Sequence, residues 1–172
     1  MDFGNITMQH DLDQSRFTAA LFEADDVGAI IRCHYEAERA LDFLLDKLTD
    51  GRSNRKAKGW AFAVKLEICR LLGVQDVWTV PLKVLNDHRN DFAHKGTHRL
   101  SDQQVLDLYH EVRRLSPTFS EDFRLTFTGK VSFDKAYKEC SNKEKYVMMI
   151  LFATAMFSSL PQITGSQSPS SS

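Results

Sequence analysis

The sequence predicts an all-α fold, an antiparallel bundle of four to five helices with a less regular segment before the C-terminal helix. Three observations carry this expectation. Apolar residues recur at three- and four-residue spacing over several long stretches. Glycine, proline and a serine-led cap punctuate those stretches where helix ends belong. The 172 residues suffice for one core and are too few for two comfortable ones.

Residues 1–25 read as a polar arm or a short helix at Asp11 to Glu23. The helical core spans 26–116. Its first helix, Asp26 to Thr49, repeats Val27, Ile30, Ile31, Leu41, Leu45 and Leu48 at helical spacing. The segment DGRSNRKAK breaks that pattern, and Trp60, Val64, Ile68 and Leu71 resume it until Gly73, a helix stop. Pro81 suits the first turn of a third helix running through Leu82, Leu85 and Phe92 and fading near Gly96. Ser101 and Gln104 form a capping box for a fourth helix, which buries Val105, Tyr109 and Val112 and ends at Pro117. Residues 117–162 complete the same domain: FRLTFTGKVSF alternates around Gly129 and reads equally as a hairpin or an irregular extended arm. A helix from Asn142 to Leu160 follows, apolar nearly all round, so it needs cover on several sides, a second subunit being one source. The tail, 163–172, is disordered by composition.

With 22 basic and 23 acidic residues the formal charge is −1, so any nucleic-acid surface must be a local patch. The opening MDFGNITMQHDLD carries acids where an export signal needs a basic and then an apolar stretch. The longest apolar run, Tyr146 to Phe157, falls short of the roughly 20 residues that cross a bilayer. Cys33, Cys69 and Cys140 are odd in number and set in apolar surroundings, as reduced core residues are. A cytoplasmic protein without a membrane partner is expected.

The chemistry concentrates between Arg89 and His94. On a helical wheel Leu82, Leu85, Phe92 and Ala93 share one face, and Arg89 falls in its middle. The first helix has a matching irregularity, since His34 and Glu38 interrupt its apolar stripe. A buried guanidinium must be paired, and Glu38 is the natural partner. Either Arg89 and Glu38 form a buried pair that only fixes helix register, or Arg89 lines a cleft or a subunit interface. Asn86, Asn90 and His94 follow at four-residue spacing on the neighbouring face. Arginine and histidine together can bind a phosphate and move a proton.

The string Arg89-Asn90-Asp91-Phe92-Ala93-His94 resembles the Arg-x4-6-His signature of HEPN domains, including the polar residue after the arginine. With FAVKLEICRLLG and VLNDHRNDFAH, the stretch from about Asp26 to Leu115 is similar to the branch containing the mannitol operon repressor family. That resemblance implies a helical bundle that dimerises through its motif face. In many members it also implies metal-independent endoribonuclease activity, in toxins or defence effectors, sometimes with an antitoxin partner. Arg89 and His94 would then be catalytic. Asn90 would orient the phosphate or the histidine, and Glu38 would hold Arg89. The alternative implied by the same branch is a non-catalytic transcription regulator working through protein contacts. Nucleotide binding in the bundle cleft is a third reading, with no glycine-rich loop to support it.

No cofactor is expected, because GxxxxGK[ST], HExxH, CxxC and GxSxG are all missing. His88, His94 and His98 lie close in sequence, but no carboxylate or cysteine completes a metal shell with them. Arg52, Arg55, Lys56 and Lys58 in one loop, with Lys95 after the motif, are the candidate RNA-backbone contacts.

Overall fold

The computed structural model describes residues 14–53, 57–96, 98–128 and 131–165. The helices are α1 (Gln14–Leu21), α2 (Asp26–Leu48), α3 (Phe62–Leu71), α4 (Asp76–Lys95), α5 (Asp102–Leu115) and α6 (Asn142–Gly165). Two four-residue strands, β1 (Arg124–Phe127) and β2 (Phe133–Ala136), separate α5 from α6. The all-α bundle is what the periodicity predicts.

Helix α2 begins where Asp25 accepts a hydrogen bond from the Gly28 amide at 2.7 Å. It buries Ala29, Ile30, Cys33, Ala37, Leu41, Leu44 and Leu45 along one stripe. A short turn through Gly73, at φ +99, sends α4 back along α3. Helix α4 starts at Asp76, five residues before Pro81, which corrects the expected start. Pro81 removes one intrahelical donor, the one that would face Val77 O, and its ring is buried on the inner face of α4. Gly96, at φ +64, ends α4 as expected. The Ser101–Gln104 capping box forms as read, with Gln104 N to Ser101 Oγ at 3.2 Å and Ser101 N to Gln104 Oε1 at 3.0 Å. Tyr109 is half-buried, its ring stacked on Tyr137 at 5.1 Å.

Of the two readings of FRLTFTGKVSF, the structure adopts the hairpin. Arg124 pairs with Ala136 and Phe127 with Phe133 in an antiparallel register; Gly129 lies outside the described residues. Phe119 and Phe123 tie this segment to Phe152 of α6, with ring centroids 5.0 and 5.4 Å away. Helix α6 is the central element, packed against α1, α2, α4 and α5. Every residue from Tyr146 to Ala155 is buried. Its all-round apolarity is therefore covered within the chain, without a second subunit. It also continues past Leu160 to Gly165.

The three cysteines are free and buried, as expected. Burial pushes the Cys69 thiol up to about 12 and Cys140 to about 11, and raises Cys33 further. At pH 8 a disulfide reagent such as DTNB should react with none of them over minutes in the native protein and with all three in denaturant. A fast native thiol would show that the packing around that cysteine opens readily.

Candidate functional site

Helix α3 has only ten residues, and its first, Phe62, lies level with Asn86 of α4. His34 of α2 joins the two: its ring lies 4.4 Å from that of Phe62, and its Nε2 is 3.3 Å from Asn86 Oδ1. Beyond that level α4 runs on for two more turns without α3 beside it. Arg89 and Ala93, which continue the stripe of Leu82 and Asn86, consequently emerge into solvent.

This overturns the reading of Arg89 as the buried partner of Glu38. The core line of α4 sits one position over, through Leu85, His88 and Phe92. His88 occupies the buried place, with Nδ1 3.0 Å from the Tyr146 hydroxyl. Burial holds its pKa below 6.5 against the opposing pull of Asp107, Asp91 and Asp87. Arg89 instead donates from Nη1 to Asn90 Oδ1 at 3.1 Å. Glu38 does not hold Arg89 either; it accepts from Lys65 Nζ at 2.8 Å. Lys65, only 1% exposed, also pairs with Asp42 at 2.7 Å. Desolvation alone would lower its pKa, but the two carboxylates outweigh it and the ammonium ends above its ordinary value.

His34 is the residue that sequence reasoning left without a role. Burial lowers its pKa below 6.5; the Asn86 hydrogen bond and Glu38 oppose this, while Arg89 and Lys65 reinforce it. The ring is therefore neutral at pH 7. Because Asn86 Oδ1 is an acceptor, Nε2 carries the proton and Nδ1 the lone pair. The available signal was a polar ladder, His34-Glu38-Asp42, at four-residue spacing, which interrupts the apolar stripe of α2.

His94 is exposed in the last turn of α4. Five residues past Arg89, it is displaced by about 7.5 Å along the helix and roughly 140° around it. Asn90, half-buried, lies between them. Lys95 is exposed and paired with Asp91 at 2.8 Å.

Of the basic loop, Arg52 is not brought to this site. Arg52 bonds Thr49 O and Asp50 at the C-terminal end of α2, about 22 Å along the helix from His34. Arg55, Lys56 and the side chain of Lys58 lie outside the described residues. His88 is buried while His94 and His98 are exposed, so the three do not converge. Among the described residues no group of three or more metal-ligating side chains gathers, and no helix is long and apolar enough to cross a membrane.

Comparison of the chain with protein-family models, curated proteins and solved structures finds no match.

Proposed function

We propose that this chain is a metal-independent endoribonuclease of the HEPN type, cutting RNA through its own 2′-OH, in the setting of a toxin or defence effector. One juxtaposition supports it: His34 of α2, half-buried and bonded to Asn86 one turn before Arg89, lies close enough to the exposed Arg89 guanidinium of α4 to feel its charge, and α4 bears the Arg-Asn-x-x-Ala-His string. Arg89 suits the scissile phosphate, because a guanidinium offers paired donors to its oxygens. His34 Nδ1 takes the 2′-OH proton as the 2′-oxygen bonds phosphorus. The bond from phosphorus to the 5′-oxygen breaks, and His94 returns a proton to that leaving oxygen. The products end in a 2′,3′-cyclic phosphate and a 5′-hydroxyl. In the resembled family the two transfers fall to histidines of two protomers; His34 supplies the base within one.

The test is a mixed RNA pool in excess EDTA with wild type, His34→Gln and His94→Ala, each verified as folded by circular dichroism. Wild type should cut, and each variant should lose at least about 10²-fold. Since the neutral ring is the base, the acidic limb of the wild-type pH–rate profile should rise as pH climbs through the depressed His34 pKa, and His34→Gln should remove that limb. A folded wild type that leaves the pool intact sinks this reading. Ile31, 56% exposed one turn before His34 and Tyr35, would then favour the regulatory alternative, a protein interface as in the mannitol operon repressor-like branch.

A further inference from the structure

Between α3 and α4 lies a cavity of about 380 Å³ with aliphatic walls, Ala63, Leu66 and Val80, and a charged rim. Its size is at the low end of the roughly 300–1,000 Å³ of small-molecule sites, enough for one planar ring system. The charges of the rim are engaged with one another. Arg70, in the last turn of α3, donates to Asp76 at 2.6 Å and to Glu67 at 2.8 Å, and Lys83 donates to Asp87 at 2.6 Å. Three carboxylates thus hold two cations, a balance that offers a phosphate nothing. What the cavity has to give is apolar contact for an uncharged group.

Asn86 joins this cavity to the site of His34 and Arg89. Its side chain lines the cavity, while its Oδ1 accepts from His34 Nε2 at 3.3 Å. The carbonyl end is thereby held, and Nδ2, which has no partner among the described residues, is the end left to the cavity. Arg89 lies one turn beyond Asn86 along α4, and His94 lies eight residues beyond it, roughly 12 Å. The order along the helix is therefore cavity, His34 with Asn86, Arg89, His94. An RNA strand presents its groups across a cut in the same order: base, 2′-OH, scissile phosphate, leaving 5′-oxygen.

We propose that the α3–α4 cavity seats the base of the nucleotide whose 2′-OH attacks, its ring against Ala63, Leu66 and Val80 and an acceptor on its edge bonded to Asn86 Nδ2. This rests on RNA being the substrate. Every base carries edge acceptors, so the site demands an unpaired base rather than a particular one. Bases taken out of the stack are held in this way, between apolar side chains and by hydrogen bonds to their edges.

The experiment uses DNA strands with one internal ribonucleotide, so that each offers a single 2′-OH and a single position of cleavage. Uridine, adenosine and an abasic ribose at that position are compared for wild type and Ala63→Trp, both verified as folded by circular dichroism. Ala63 is exposed, so the larger ring covers the cavity without entering the core. Wild type should cut the two base-bearing strands at least about 10-fold faster than the abasic one, the effect of burying one ring. Ala63→Trp should lose most of that advantage, and annealing the strand to its complement should slow the wild type. An abasic strand cut within two-fold of the others, or an advantage undiminished in Ala63→Trp, overturns the base site and leaves the nuclease standing. Where wild type cuts no strand, amide spectra recorded with uridine 3′-monophosphate decide: shifts at Ala63, Leu66 and Asn86 keep the base site without the nuclease, and unshifted signals remove both.

Discussion

Arg89→Ala is expected to slow RNA cleavage by about 10²- to 10³-fold, the usual cost of removing one donor from a developing charge. The same variant should leave the fold untouched. Arg89 is exposed and, among the described residues, bonds its neighbour Asn90, so its loss falls within the roughly 0.5 kcal/mol of ordinary surface changes, about 1–2 °C in Tm for a chain of this size. Arg89→Lys keeps the charge and loses the paired donors, so it should fall between wild type and alanine. Single-turnover cleavage measured beside thermal melts separates these expectations. Had Arg89 been the buried partner of Glu38, the melting temperature would drop with the activity. Equal loss of both would return the residue to a structural role.

Lys65→Ala should have the opposite signature, a large loss of stability. It removes a side chain that is 1% exposed and leaves Glu38 and Asp42 facing one another without their cation. Breaking a fully buried pair costs about 3–5 kcal/mol, but both carboxylates here are about one-third exposed and water screens them. An expected cost of about 2–4 kcal/mol remains, roughly 5–15 °C in Tm. Lys65→Met keeps the apolar stem and loses only the charge, so its smaller deficit divides packing from electrostatics. The pH dependence has a definite sign. The folded pKa of Lys65 is raised, so its contribution is whole below the unfolded value of about 10.4 and disappears as pH rises through the folded one. Denaturant melts from pH 8 to 11 should show wild type and Lys65→Met converging, and parallel curves would contradict the assignment.

Helices α2 to α5 were legible because they carry their own apolar period and some of their ends are marked locally; Ser101 with Gln104 and the glycines at 73 and 96 need no tertiary information. The side of α4 that faces the core was not. Leu82, Leu85 and Phe92 fit a stripe through Arg89 or one through His88, and what decides is where α3 begins. That fact resides in another segment of the chain. Pro81 misled for a related reason: a proline marks a first turn by propensity, yet a buried ring can be retained deeper in a helix that gains packing there. At the site, the Arg89–His94 string could be read from sequence alone, and His34 from its ladder with Glu38 and Asp42. Lys65 could not, since within FAVKLEICRL a single lysine reads as the solvent side of an amphipathic helix.

The place of α6 at the centre of the bundle has a kinetic meaning. Its most extensive packing is on α2, which begins at Asp26, whereas α6 begins at Asn142. Helical proteins built from neighbouring hairpins close short loops and fold fast; this one must close a long loop before its largest interface forms. Helices α1 to α5 therefore lack the central element of their core until α6 docks, and unfolding of the Arg89 face is expected to coincide with loss of the α2–α6 interface in a single transition.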